Sequence, residues 1–200
     1  EREILIKNKE SKISKTSEML NADYSLVSIS GYGIISGYSD DGETKREDQL
    51  IPNHYEQLGF SFANYNGKAP QDIPWDFTKR EPDLIVINLG TNDFSFCQDT
   101  EWKREEFGQK YGEFLQVVRK NNPQAHIFCV LGLMGDGLYD MICRTVADYT
   151  YKTGDTCITT VHIPEQKAED GYAIDWHPLP KSHTMAAEAV ATAIARELGW

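Results

Sequence analysis

The chain has 200 residues, which at roughly 150 residues per domain predicts one domain, 1–200, with its own sizeable core. Acidic residues outnumber basic ones by 31 to 20, a net charge of −11, so the surface repels phosphate backbones and anionic lipid, and neither nucleic acid nor a membrane is an expected partner. The longest stretch free of polar side chains, Ile127 to Gly135, is too short to cross a bilayer.

Residue 1 is Glu and no charged-then-apolar leader follows it, the pattern of a mature, trimmed or fragmentary product. Strands are expected at Glu3–Ile6, Ser25–Ser30, Asp83–Leu89, His126–Gly132 and Cys157–His162, the third apolar enough to be buried on both faces. A weaker helix fits Lys12–Leu20. Lys103–Lys120 carries Phe107, Tyr111, Phe114, Leu115 and Val118 at helical spacing, and Tyr139–Lys152 does the same with Ile142, Val146 and Tyr149. Ser182 reads as the cap of an Ala-rich helix to Leu198, with Met185, Val190, Ala193 and Ile194 inward. Strands separated by helices run parallel, so the expected class is α/β: a three-layer α/β/α sandwich with a mainly parallel five-stranded sheet. Residues 38–82, rich in Asp, Gly, Pro and Asn, are too long for an ordinary connection and read as a functional surface excursion. The cysteines Cys97, Cys129, Cys143 and Cys157 lack Cys-x-x-Cys spacing and are expected as buried free thiols.

In open parallel sheets ligands collect beyond the carboxyl ends of strands, which singles out the residues just after each strand. Gly31-Tyr32-Gly33 follows the second, Gly90-Thr91-Asn92-Asp93 the third, and Asp175-Trp176-His177-Pro178 the fifth after a loop. His177 suits a general base, and Asp175 could fix its tautomer and stabilise the imidazolium. Asn92 offers an amide donor and Gly31 a backbone N–H unobstructed by a side chain, the two needs of a developing oxyanion. Singly, each also has a plain structural reading: a Gly-x-Gly turn, a strand-end cap, a surface pair. Their joint placement favours an ester-hydrolysing site in which the three loops converge on one acyl-sized space. A metal site from Asp93, Asp136, Asp140, Asp175 and His177 ranks below it, because no ligand spacing such as His-x-x-x-His supports it. His183 opens the last helix and reads as structural, and His54, His126 and His162 read as ordinary histidines.

These blocks resemble the SGNH (GDSL-type) esterase superfamily, with Gly31 in its second block, Gly90-Thr91-Asn92-Asp93 in its third and Asp175-Trp176-His177-Pro178 in its last. Pro74-Trp75-Asp76-Phe77, the Phe-Leu-x-x-Val-Arg-x-x-Asn-Pro run at 114–123, Leu131-Gly132-Leu133-Met134 and Glu169-Asp170-Gly171-Tyr172 are similar to the carbohydrate esterase family 2 branch, deacetylases of plant polysaccharides. The resemblance, over roughly residues 20–200, implies an SGNH-hydrolase-like fold, His177 as base, Asp175 as its orienting acid, Gly31 and Asn92 as oxyanion donors, and an extracellular setting. Trp176 and Tyr32 flank the implied site as candidate sugar-binding rings. No cofactor and no metal are implied.

Two departures stand out. Members of the superfamily place their nucleophile in a Gly-Asp-Ser block directly after the first strand, three residues that occur together nowhere in the 200. The nearest serine in position, Ser11, lies in a lysine-rich stretch. The expectation is that the block is missing after residue 6, and that the N-terminal β-sandwich usual in family 2 is not present. The expected activity is a serine-type carboxylic-ester hydrolase removing O-acetyl groups from xylan- or mannan-like carbohydrate, or from small acetyl esters. The rivals are a carbohydrate-binding pseudoenzyme without a nucleophile, and a thioesterase or lysophospholipase of the same superfamily, which would need an apolar acyl channel.

Overall fold

The computed structural model describes residues 11–60 and 63–200. Within them the elements run α1 (Lys12–Met19), α2 (Pro52–Tyr55), β1 (Leu84–Ile87), α3 (Thr91–Cys97), α4 (Glu101–Asn121), β2 (His126–Gly132), α5 (Tyr139–Thr153), β3 (Ile158–Ile163) and α6 (Pro180–Leu198). The strand order is β1-β2-β3, with Leu84 beside His126 through Ile87 beside Cys129 in parallel register. The α/β class is as expected, with three strands among the described residues instead of five.

Glu3–Ile6 lies outside the described residues. Ser25–Ser30 is not a strand: none of its residues is buried, Val27 is 49% exposed, and the nearest pairing is an isolated Gly33–Leu50 bridge. Without a covered apolar face a strand has nothing to pack against. The strand expected to be buried on both faces is also a correction. Val86 of β1 is exposed, whereas every residue of β2 after His126 is buried, because β2 is the strand with a neighbour on each side.

The chain divides into two compact units, one built from Glu1–Leu26, Val130–Asp136 and Val161–Trp200, the other from Val27–Cys129 and Gly137–Thr160. In the first unit α1 packs on α6. Ser11 caps α1 by accepting from the Ser14 N–H at 3.3 Å. The inward face of α1 is Ser14, Thr16 and Ser17, and two of these hydroxyls donate back to the carbonyls of Lys12 (2.7 Å, from Thr16) and Ser14 (2.8 Å, from Ser17). Back-bonding lets small polar residues be buried at a helix contact, and the buried face of α6 is also mostly small, with Ala186, Ala187, Ala191 and Ala193 beside Val190 and Ile194. Ser182 is not the cap of α6. The helix starts two residues earlier at Pro180, whose fixed φ and missing N–H suit the first helical position, and Ser182 is buried inside the first turn.

In the second unit α4 packs against α3 and α5. Its buried stripe is the expected one, Phe107, Tyr111, Phe114, Leu115 and Val118, joined by Gly108. A Cβ at Gly108 would lie 2.7 Å from Met141 Sδ, so glycine permits the close approach of α4 and α5. Each large side chain in such a stripe contributes about 1.5–3 kcal/mol of transfer free energy. At the end of α4, Arg119 donates to Asp155 (Nε, 2.7 Å) and to the carbonyls of Asn122 (3.1 Å), Ala125 (2.6 Å) and Cys157 (2.9 Å).

The excursion at 38–82 carries α2 and two 3-10 turns, Pro70–Asp72 and Phe77–Lys79. It is anchored where Lys103 Nζ donates to the carbonyls of Gly42 and Phe96, each at 2.9 Å. All four thiols are free. Cys97 and Cys129 are buried as expected, Cys143 is half-buried, and Cys157, in the turn leading into β3, is exposed. Among the described residues, no helix is long and apolar enough to cross a membrane.

Candidate active-site residues

Gly90, with φ of 131°, turns the chain out of β1 and into α3, so the Gly-Thr-Asn-Asp block opens a helix that the sequence pattern did not reveal. Two successive side chains of its first turn reach back to one segment. Asn92 Nδ2 donates to the Tyr32 carbonyl at 2.8 Å. Asp93 Oδ1 accepts from the N–H groups of Ile34 (2.8 Å), Ile35 (2.7 Å) and Ser36 (3.2 Å). Asp93 is fully buried, and burial outweighs the three amide donors to push its carboxyl up to about 6.

The segment so held, Tyr32 to Ser36, directly follows Gly31 and contains Gly33. Gly31 adopts φ of 80° and its carbonyl accepts from Tyr38 N–H at 2.8 Å, while its own N–H is taken up by none of the described residues. Gly33 is required for space: a Cβ there would lie 2.1 Å from the Ser36 carbonyl oxygen and 2.6 Å from Asp93 Oδ2. The Tyr32 ring lies against His54 and Phe60, with centroids 5.7 and 6.1 Å away. These rings, Gly31, Asn92 and Asp93 all belong to the second unit.

The other sequence-identified residues belong to the first unit. Asp175 (φ 52°) and Trp176 (φ 59°) are successive non-glycine residues in the left-handed region, each at a steric cost of about 1–2 kcal/mol. Around them Ala173 N–H donates to the His177 carbonyl (2.8 Å), His177 N–H donates to that of Ile174 (3.1 Å), and Tyr172 bridges Pro178. Gln166 Nε2 donates to the Trp176 carbonyl at 2.7 Å, and Gln166 N–H is itself tied to the Leu133 carbonyl at 2.9 Å. Asp175 and His177 are both exposed, and the two side chains are not hydrogen-bonded to each other. Trp176 is 71% exposed and meets the Tyr172 ring edge-on at 5.1 Å.

Beside them opens a cavity of about 250 Å³ lined by Leu133, Met134, Gly135, Glu165, Gln166, Tyr172 and Trp176. Leu133–Gly135 follow β2 and Glu165–Gln166 follow β3, so the strand-end rule holds for this unit. Glu165 and Gln166 were missed as site residues. The signal was available, because they come directly after a predicted strand, but they form no motif.

Two of the five candidate metal ligands have other partners. Asp93 is engaged by main-chain amides, and Asp136 pairs with His162 at 2.7 Å. Among the described residues, no group of three or more His, Cys, Asp or Glu side chains is arranged to hold a metal ion. His126 bonds Thr159 at 2.8 Å and His183 lies in the first turn of α6.

The chain belongs to the GDSL-like lipase/acylhydrolase family, whose sequence profile matches residues 25–184. Within that family it is similar to the cellulase/esterase CelE of Acetivibrio thermocellus, at 35% identity over 193 residues, 92% of this chain and 21% of CelE. Among solved structures it is similar to the acetyl xylan esterase Est2A from the rumen bacterium Butyrivibrio proteoclasticus, with TM-score 0.86, 27% identity and coverage of 96% of this chain and 56% of that one. It is also similar to a family two carbohydrate esterase from Clostridium thermocellum in complex with cellohexaose, with TM-score 0.76, 33% identity and coverage of 96% and 55%. The chain thus spans about a fifth of CelE and little more than half of each of these two solved chains.

Proposed function

We propose that this chain is the hydrolase region of a serine-type carbohydrate esterase that removes O-acetyl groups from xylan- or mannan-like polysaccharide. The observation that carries the substrate class is the Tyr172–Trp176 ring pair at the 250 Å³ cavity, immediately before His177 in the chain. An exposed indole offers the flat apolar face on which a sugar ring stacks, and the Glu165 carboxylate offers acceptors for its hydroxyls. The names of the relatives support the same class.

In this reading His177 takes the proton of an attacking serine hydroxyl and returns it to the leaving sugar alcohol. A water then repeats the attack on the acyl-enzyme. Gly31 N–H and the Asn92 amide stabilise the tetrahedral oxyanion, each such donor being worth about 10²–10³ in rate. Asp175, whose side chain is not hydrogen-bonded to His177 in this structure, stabilises the imidazolium by its negative charge, and Tyr32 and Trp176 contact the saccharide. None of these steps calls on a metal or organic cofactor.

The reading requires a nucleophilic serine, and no Gly-Asp-Ser block supplies it within the 200 residues. Ser11 has its oxygen engaged in capping α1. The deciding experiment is acetate release from acetylated xylan by the full-length gene product, with labelling by a serine-directed phosphonate. Turnover and labelling, with turnover lost in His177→Ala, is the expected result. Binding of acetylated xylan with neither labelling nor turnover overturns the esterase reading in favour of a saccharide binder.

A further inference from the structure

A carboxylate with no exposed surface normally needs a cation or a full set of donors. Asp93 has neither. Oδ1 gathers three successive main-chain N–H groups, while Oδ2 has no hydrogen-bond partner and lies 2.6 Å from where a Cβ on Gly33 would stand. Successive amides converging on one oxygen form a nest of the kind that binds anions, filled here by the chain's own side chain. Its neighbour Asn92 holds the same segment two residues earlier, through the Tyr32 carbonyl. Two consecutive residues of α3 thus grip residues 32–36 at both ends, and Gly31 is the residue just before that span, its carbonyl tied to the Tyr38 N–H just after it.

We propose that Asp93 is the positioning residue of the oxyanion donors: by fixing residues 34–36 to α3 it sets the separation between the Gly31 N–H and the Asn92 amide. This rests on the reading of Gly31 and Asn92 as those donors. The donors act only if they are held at the geometry of the transition state before it forms, and a grip that includes three N–H···O bonds to a rigid helix supplies that hold. Cys97, from the same helix, and Tyr111, from α4, are titratable groups that feel the charge of Asp93. Burial pushes the thiol up to about 12 and the phenol well above its usual 10, so both stay neutral between pH 4 and 8. Asp93 is therefore the member of this cluster that titrates in that window, and protonation weakens Oδ1 as an acceptor.

The test uses the full-length protein. In amide NMR spectra, the Ile34, Ile35 and Ser36 resonances are expected to shift together with one midpoint near 6, and the shift is expected to vanish in Asp93→Asn. In acetyl-ester hydrolysis, Asp93→Asn, which keeps a neutral acceptor, is expected to lower kcat about 10-fold with KM within about threefold. Asp93→Ala is expected to lower kcat by about 100-fold or more, the scale of one lost donor. Should the alanine variant not fold, the asparagine variant and the titration decide. Wild-type kcat in Asp93→Asn, or amides that ignore the Asp93 titration, overturns the proposal while leaving the esterase reading intact. A wild-type protein that neither hydrolyses nor is labelled overturns the esterase reading and, with it, this role.

Discussion

The turn at residues 31–36 and the loop at residues 172–178 solve the same problem in opposite ways. Each must hold backbone in the left-handed region so that a polar group is presented at a fixed place. The first puts glycine at the position that needs it, Gly31, and buries a carboxylate behind the turn. The second uses Asp175 and Trp176 in left-handed conformations, stands exposed, and is secured by the Gln166 side chain and a few main-chain bonds. A turn that presents only backbone can be made of glycine. A loop that must present an indole and an imidazole keeps its side chains and carries the strain instead.

The contrast can be broken first through Asp93. Its folded carboxyl sits at about 6, against 3.8 for the ordinary group, so the native state binds the proton more tightly than the unfolded chain. The resulting stabilisation is fully present below about pH 4 and is lost as pH rises through 6, by on the order of 3 kcal/mol. Denaturant melts of wild type and Asp93→Asn at pH 4 and 7 should show that slope in the wild type and its loss in the variant. Next comes Gly33→Ala, which drives a Cβ into the Ser36 carbonyl and Asp93 and is expected to cost about 2–3 kcal/mol by the same melts. Gly31→Ala has open space around it and should cost only the left-handed penalty, about 1 kcal/mol.

On the other side, Gln166→Ala removes one hydrogen bond to the Trp176 carbonyl. It should cost about 1 kcal/mol in stability, with kcat falling more than the melt alone would suggest. The smallest effect is expected for Asp175→Gly, which relieves left-handed strain but frees the unfolded chain. Thermal melts should show a change within about 0.5 kcal/mol, whereas pH–rate profiles should show whether His177 loses an orienting partner.

Helix periodicity was the most legible signal. The α4 stripe was read residue for residue, and α5 and β2 were read nearly to their ends, because burial follows a local 3.6-residue repeat in the helices and β2 is a short continuous apolar run. What could not be read were features set by distant partners. Ser25–Ser30 is β-rich in composition, yet Val27 is exposed and Leu26 and Ile29 are only half-buried. Val86 looks like core, yet β1 pairs only with β2 among the described strands. Asn92 and Gly31 could be named from chemistry, but the Asp93 nest joins residues nearly sixty positions apart, and no local pattern announces it. Asp175 and Trp176 carry residue types that do not advertise positive φ.

Arg119 fastens four separate stations of the second unit, the carbonyls of Asn122, Ala125 and Cys157 and the Asp155 carboxylate, to one planar cation. Lysine cannot replace that fork, since a single ammonium has no fixed plane in which to address all four. Loosening any one station frees donors that the others share, so the lead-in to β2 and the lead-in to β3 should open to solvent as one cooperative block, and amide deuteration there should advance at a common rate.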